Sequence, residues 1–335
     1  MVTSSLFRVG STLRRISGAS FVALLTLVPS VAFADPSSVT PEQGYDLGDM
    51  EHPRPLGMGG AQYATGTSTS ALMSNPANLT MARVYHLEAL AAFSPQARRQ
   101  SYGAAIVDSA TNRLAAGLAG KWSMVDPDGV RRTWFDLRMA LAYPLAEKLS
   151  VGLGLRYLRL EQPISTGPLG ASLVSGGTPD SPVVSAFTFD AGMTIQPTEG
   201  LKIGITGRNL TNPENGYLPT QVVGAIGYAT PKFAVEGDVL TDFTTFGTPK
   251  PRAMLGGEYL IAERFPVRGG YRYDVGTNVH SLSLGFGFVD KRFSVEGGLR
   301  QDVAGQHLAT FFGFGLRYFI DSGAQNTAET GDTSQ

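Results

Sequence analysis

The chain lacks cysteine altogether, which excludes disulfide bridges, thiolate nucleophiles and cysteine-ligated metals. Charged residues are also scarce, because they make up 16% of the 335 residues, against about 25% in soluble domains. After residue 34, no run of about eighteen apolar residues occurs, which argues against transmembrane helices. No basic stripe is present, so nothing indicates nucleic-acid binding. Glycine, by contrast, is abundant, with 41 residues.

The N-terminus has the three parts of a secretory signal peptide. Three arginines precede the apolar run 21–28, and an Ala-Phe-Ala cleavage site ends at Ala34. The apolar run is too short to span a membrane comfortably. We therefore expect residues 1–34 to be removed and the mature chain, beginning at Asp35, to be exported.

The mature chain alternates apolar residues with small or charged ones. In residues 293–300, one parity carries Phe, Val and Leu, and the other carries Ser, Glu and Arg. A period of two places these sets on opposite faces, so each such run predicts a β-strand. Fourteen strands are predicted, at 84–93, 100–107, 113–122, 133–143, 148–159, 183–195, 201–209, 220–229, 232–240, 252–261, 266–273, 279–289, 293–300 and 308–320.

The number of strands and the lengths of their connections favour a membrane barrel over a soluble sandwich. The count is even, connections after even-numbered strands are tight, and those after odd-numbered strands are mostly longer, up to residues 160–182. In a barrel strand, apolar residues that face lipid alternate with polar residues that face the lumen, so the mean hydropathy stays near zero. The mean hydropathy of this chain, −0.01, agrees with that pattern. We therefore predict an all-β fold: a transmembrane antiparallel β-barrel over residues 84–320, surrounded by lipid of a bacterial outer membrane.

The two parities predict which face meets the lipid. One is apolar, with tyrosines at several strand ends, and the other carries charges of both signs. Because charge is costly against lipid, we expect the charged side chains to line the lumen. Mixed signs favour cross-strand pairing over an ion-selective field. The expected luminal residues are Asp136, Arg138, Arg156, Asp190, Lys202, Arg208, Glu236, Asp238, Arg252, Glu258, Arg268, Arg272, Glu296, Arg300 and Arg317.

Two segments lie outside the predicted barrel. Residues 35–83 are rich in glycine and small polar residues, with a short helix expected at 70–73 that Pro76 ends. This segment is too short to form its own core, so we expect it to pack inside the lumen as a hatch. Residues 321–335 form a polar tail that is expected to be disordered.

The hatch segment resembles that of a known group of proteins. Gly57, Gly59 and Gly60, followed by Asn75-Pro76-Ala77, are similar to the N-terminal hatch of the FadL-like outer-membrane transporters and to the opening of the PorV/PorQ-type outer-membrane proteins. For the transporters, the resemblance implies capture of a fatty-acid-like ligand at the loops and a lumen gated by the hatch. This chain is shorter than typical fatty-acid transporters, which counts against long extracellular binding loops.

Three functions from different classes are compatible with these features. A channel for hydrophobic small molecules would use the longest loop, where Ile164, Leu169 and Leu173 could form a capture surface, with Arg156 or Arg159 at the adjoining strand end as the nearest carboxylate partners. Alternatively, the loop residues only pack the loop over the barrel mouth. A PorV-like protein would instead bind envelope or secretion proteins through its rim and tail.

The third possibility, an enzyme, has the least support. The four histidines form no recognisable catalytic constellation, and the G-x-S-x-G motif is absent. Neither metal ligands nor a phosphate-binding glycine loop occur at credible spacing, so no cofactor is predicted. Transport of a hydrophobic small molecule is the preferred function.

Overall fold

The computed structural model of the protein describes residues 52–125, 131–161, 184–213, 217–305 and 308–320. Among them, fourteen strands form one closed antiparallel barrel in which β1 pairs with β14. The strands are β1 Tyr85–Ser94, β2 Arg99–Asp108, β3 Ala115–Val125, β4 Arg132–Ala146, β5 Leu149–Glu161, β6 Val184–Ile195, β7 Leu201–Arg208, β8 Gln221–Ala229, β9 Phe233–Asp242, β10 Lys250–Ile261, β11 Phe265–Asp274, β12 Val279–Val289, β13 Phe293–Ala304 and β14 Thr310–Phe319. The predicted fold and strand number are confirmed.

Strand ends differ from the prediction mainly where the pairing contains a bulge. β13 continues to Ala304, because a register shift at His280/Ser281 lets Asp302 pair with Ser281. β4 continues past Tyr143, and a second shift between Pro144 and Ala146 accommodates the proline, which has no N–H for the ladder. Regular alternation cannot reveal such irregularities.

The two faces of the barrel separate as expected. Leu153, Leu284 and Phe286 are 63%, 64% and 69% exposed on the outer surface, whereas Arg138 and Arg300 are 3% and 1% exposed inside. Every charged side chain predicted to be luminal is buried or partly buried at an inward-facing position. This arrangement presents the apolar parity to lipid and satisfies the charges internally.

The two ends of the barrel differ in their connections. At one end, five of the six connections after even-numbered strands have two to five residues, and we call it the short-turn end. At the other, the long-loop end, connections include residues 162–183 and 209–220, although 95–98 is also short. The predicted capture residues Ile164, Leu169 and Leu173 lie outside the described part of the chain, as do the predicted signal peptide and tail.

The segment before β1, residues 52–83 in the described part, is called the hatch. It contains the helix α1 (Pro53–Gly57) and two 3-10 helices, η1 (Ser68–Met73) and η2 (Pro76–Met81). Within the described residues, no helix is long and apolar enough to cross a membrane. η1 ends before Pro76 as expected, and Pro76 also opens η2, where Asn75 caps the helix by accepting from the N–H of Ala77.

A hatch-sealed lumen as the candidate functional site

The hatch crosses the lumen near the short-turn end and approaches the strands all around the barrel. α1 packs against β11 to β14, η1 against β1 to β4, and η2 against β3 to β6. Between these helices, Met58, Tyr63 and Thr65 lie against β7, β8 and β10, and the clamp described below reaches β9. The hatch therefore closes the cross-section of the barrel.

Inward-facing glycines of the barrel let the hatch backbone come unusually close. A Cβ atom at Gly270 would lie 2.2 Å from the carbonyl carbon of Met58, and one at Gly152 would lie 2.4 Å from the backbone nitrogen of Ala77. Real Cβ atoms are not found at such distances, so only glycine fits these positions. The glycines at which an added Cβ would lie 2.5 Å or less from a hatch backbone atom are Gly152, Gly204, Gly256, Gly270 and Gly298.

The hatch glycines predicted from the sequence have two roles. Gly57 lies so close to the barrel that a Cβ there would be 2.8 Å from the Cα of Gly285. Gly59 and Gly60 have φ values of 68° and 95°, in the left-handed region that favours glycine. The Gly-Met-Gly-Gly motif thus turns the chain after α1 where Met58 packs on the wall.

Two carboxylates of β9 clamp the middle of the hatch. Asp238 Oδ2 accepts hydrogen bonds from the N–H groups of Gln62 and Tyr63 at 2.9 and 3.2 Å. Glu236 accepts from the N–H groups of Ala64 and Thr65 at 2.5 and 3.0 Å, and from the Thr65 hydroxyl. Four consecutive backbone donors, which have no helix or sheet partner, are satisfied by these two side chains.

The Asn-Pro-Ala motif ties two parts of the hatch to β6. Asn75 Nδ2 donates to the Tyr63 carbonyl and to Thr194 Oγ1, both at 2.9 Å. Asn78 Nδ2 donates to the same carbonyl at 3.1 Å, and its Oδ1 accepts from Thr194 Oγ1 at 2.6 Å. The predicted hatch residues Asn75, Pro76 and Ala77 are thereby brought together, with Pro76 and Ala77 against Gly152.

Glu88 links two parts of the hatch to the seam where the barrel closes. Its carboxylate contacts His52 Nε2 at 3.0 Å, Arg317 Nη2 at 3.2 Å and the Thr69 hydroxyl. Glu88 on β1 and Arg317 on β14 are direct cross-strand partners. Charge-assisted hydrogen bonds of this kind are stronger than neutral ones, so the hatch and the seam stabilise each other.

Beyond the hatch, towards the long-loop end, a cation-rich group lies in the lumen. Asp136 accepts from Arg156 Nε and Nη2 at 3.1 and 2.9 Å, and it also contacts Arg138 at 3.4 Å and Lys121 at 3.8 Å. We call these four residues the luminal cation cluster. Arg159, the other predicted carboxylate partner, lies outside the lumen: its side chain is 44% exposed and pairs with Glu161 at 2.7 Å.

Apolar side chains line the lumen next to this cluster. On β4, Trp134 faces the lumen two residues from Asp136, and on β5, Leu158 faces the lumen two residues from Arg156. Both apolar residues are on the side of the long-loop end. The luminal apolar cluster consists of Ala97, Val125, Trp134, Leu158, Leu160, Val184 and Leu218, with Ala186 and Tyr217 packed against it. Inward-facing positions of a barrel are usually polar, so this apolar lining is unusual for a water-filled pore.

A small cavity separates the hatch from the wall formed by β1 to β3. It measures about 20 Å³ and is lined in part by His52, Met73, Leu90 and Lys121. That is room for about one water molecule, whereas ligand pockets measure about 300 Å³ or more. This cavity is therefore too small for a ligand.

The sequence did not reveal the hatch clamp, Lys121 or the luminal apolar cluster. Leu158 and Leu160 alternate with outward residues in the same way as Arg156, so the sequence places them on the luminal face beside the longest connection. Apolar residues at these positions could have predicted the luminal apolar cluster. No comparable signal existed for Glu236 and Asp238, because their partners are backbone groups more than 170 residues away. Within the described ranges, no group of three or more His, Asp or Glu side chains is placed to hold a metal ion.

Comparison with solved structures finds the same fold in several channels and transporters. The chain is similar to the CymD monoaromatic hydrocarbon channel, at 16% identity and a TM-score of 0.58 over 81% of this chain and 97% of that one. It is also similar to the Ralstonia pickettii toluene transporter TbuX, at 16% identity and 0.57 over 80% and 97%, and to a Pseudomonas aeruginosa FadL homologue, at 12% and 0.54 over 81% and 98%. At these identities the likeness shows the fold. No protein-family model and no curated protein matches the sequence.

Proposed function

We propose that the protein is an outer-membrane channel for hydrophobic small molecules, through which diffusion is gated by the hatch. The observation that carries this proposal is the luminal apolar cluster, because inward-facing Trp134, Leu158 and Leu160 would not favour passage of water-soluble solutes. The similar structures described above include a monoaromatic hydrocarbon channel and a toluene transporter, which supports the same ligand class.

The arrangement along the lumen suggests a route. A hydrophobic molecule enters at the long-loop end, which we take to face the cell exterior, and is held by the luminal apolar cluster. The hatch blocks its further passage, since it lies against the wall all around the barrel. Passage therefore requires a rearrangement of the hatch. The capture surface at Ile164, Leu169 and Leu173 remains part of this proposal.

Uptake in cells tests the function directly. Cells that display the protein should take up a labelled hydrophobic compound faster than cells without it. Leu160→Asp should lower uptake about tenfold, because it removes an apolar side chain whose burial against the ligand contributes about 1.5–3 kcal/mol. Leu160→Met keeps the volume and the apolar surface and is the matched control, with surface levels equalised.

Two outcomes would count against the channel. Uptake equal to that of cells without the protein would reject it. If, in addition, an envelope protein co-purified with the barrel and was lost on trimming its long-loop connections, the PorV-like binding function would replace it.

A further inference from the structure

The turns at the short-turn end repeat a two-residue pattern. In five of the six connections after even-numbered strands, an exposed cation is followed at once by an outward-facing apolar side chain. An apolar residue at the start of a strand meets the edge of the hydrocarbon layer, and a cation just before it lies at the level of the lipid headgroups. The five pairs are Arg113-Leu114, Lys148-Leu149, Lys232-Phe233, Arg264-Phe265 and Arg292-Phe293.

Three of these turns lie side by side and hold their cations in equivalent positions. They are residues 230–232, 262–264 and 290–292, and each is two strands from the next, which is roughly 10 Å around the barrel. In each turn, the carbonyl of the last residue accepts a hydrogen bond of 2.7 or 2.8 Å from the end of the following hairpin strand. We call the four cations of these turns the basic arc: Lys232, Arg264, Lys291 and Arg292.

The cations of the basic arc differ from those on the opposite side of the barrel in what they contact. Within the described ranges, none of the four forms an ion pair or a side-chain hydrogen bond. By contrast, Arg113 lies over the ring of Tyr143 at 5.9 Å, and Lys148 Nζ donates to a backbone carbonyl at 3.0 Å. With the two carboxylates of the same turns, Glu263 and Asp290, the arc keeps a net charge of +2. Its charge is therefore available to an anionic partner.

The outer surface beside the basic arc is apolar and aromatic. The ring of Phe288 lies 5.5 Å from that of Phe265 and 5.9 Å from that of Phe293, between centroids. Phe233 is the direct cross-strand partner of Tyr259, and both are exposed on the outer face. From β9 to β13, the surface thus joins a row of cations to a row of rings against which hydrocarbon chains can pack.

We propose that the basic arc is a binding site for an anionic phospholipid with two phosphate groups. The short turns of an outer-membrane barrel face the periplasm, so these cations meet the headgroups of the inner leaflet. Each phosphate accepts charge-assisted hydrogen bonds from the cations of one turn. Because the two phosphates are linked, binding of the first holds the second beside the neighbouring turn, an advantage that a lipid with one phosphate lacks. The acyl chains cover the aromatic surface beside the arc.

Competition between two lipids tests the chemical class of the ligand. The folded protein is placed in detergent micelles that contain diphosphatidylglycerol and phosphatidylglycerol at equal total phosphate. Native mass spectrometry then counts the molecules of each lipid that stay bound. The parent should retain one diphosphatidylglycerol and prefer it to phosphatidylglycerol by about tenfold or more, because its second phosphate binds intramolecularly.

Paired substitutions locate the site on the barrel. Arg264→Gln with Arg292→Gln should weaken diphosphatidylglycerol binding about thirtyfold, since each cation near an anionic headgroup contributes roughly fivefold. Arg113→Gln with Lys148→Gln removes the same charge from the same end of the barrel, on the opposite side, and should leave binding unchanged. Arg264→Lys with Arg292→Lys keeps the charge and should retain most of the binding, which separates loss of charge from damage to the turns. The heat-modifiable gel shift shows that each variant is folded.

Three results would overturn the proposed lipid site. They are equal retention of the two lipids by the parent, equal loss of binding in the two glutamine pairs, and no lipid retained by the parent at all. If the pair at residues 264 and 292 did not fold, Lys232→Gln with Lys291→Gln would apply the same test to the other two cations of the arc. The site does not depend on the proposed function: a protein that retains the lipid but mediates no uptake would reject the channel and leave the site intact.

Discussion

Replacing Gly270 by alanine should loosen the hatch, whereas the same change at the neighbouring Gly269 should not. A Cβ at Gly270 would lie 2.2 Å from the Met58 carbonyl carbon and 2.3 Å from the Gly59 nitrogen. Ordinary contact begins at 3.4 Å, so the hatch backbone must retreat by about 1.2 Å. Both atoms belong to the backbone and cannot rotate away, and overpacking of this kind costs about 1–3 kcal/mol.

Gly269 provides a matched control because it lies one position away on the same strand but faces outward. A Cβ there meets no atom within 4 Å, and its φ is not in the left-handed region. Gly269→Ala should therefore fold normally and remain closed. Both proteins would be reconstituted in planar bilayers, and their single-channel conductance and open probability compared with the parent. Equal behaviour of Gly270→Ala and Gly269→Ala, with both barrels correctly folded, would refute the idea that backbone contact on glycine holds the hatch.

Three further changes test other parts of the molecule. Glu236→Ala removes the acceptor for the N–H groups of Ala64 and Thr65; leaving them unsatisfied costs about 1–3 kcal/mol each, so open probability in bilayers should rise, and no rise would contradict the clamp. Leu284→Arg places a charge on the outer surface, where it costs about 2–4 kcal/mol near the bilayer midplane; the heat-modifiable gel shift of the folded barrel should occur at a lower temperature, and an unchanged transition would argue against a lipid-facing Leu284. Leu169→Asp combined with Leu173→Asp should reduce uptake of a labelled hydrophobic compound at matched surface level, while normal uptake would remove these residues from ligand capture.

The sequence predicts the barrel well because the relevant signal is local. Alternation between luminal charge and outer apolar residues appears within each strand, and the cost of placing Arg138 or Glu296 against lipid fixes the orientation of the whole strand. The hatch glycines and Asn75 were also accessible, since left-handed turns and helix caps depend on residue type at single positions. Strand ends were predicted less exactly, mainly at the two bulges, where the pairing departs from the regular pattern.

The parts that could not be predicted depend on contacts across the lumen. Met58 meets Gly270, and Tyr63 meets Asp238, from distant parts of the chain, and neither contact leaves a periodic pattern in the sequence. The pairing of Arg138 with Met73 is of the same kind. In contrast, the parity rule alone separates Arg156, which is luminal, from Arg159, which lies on the outer surface.

Uptake with a covalently fixed hatch tests the gating account most directly. Leu72 of η1 lies against Gly117 of β3, where its Cδ2 would be 2.6 Å from an added Cβ. Leu72→Cys with Gly117→Cys therefore allows a disulfide between hatch and wall in an otherwise cysteine-free chain. Thr80→Cys with Ser150→Cys, at a position where the two hydroxyls are 2.7 Å apart, fixes η2 to β5 as a second, independent link between hatch and wall.

Uptake of a labelled hydrophobic compound would be measured before and after reduction of each disulfide, at equal surface level. We predict that each disulfide stops uptake and that reduction restores it. Undiminished uptake with η1 fixed to the wall would contradict gating by the hatch.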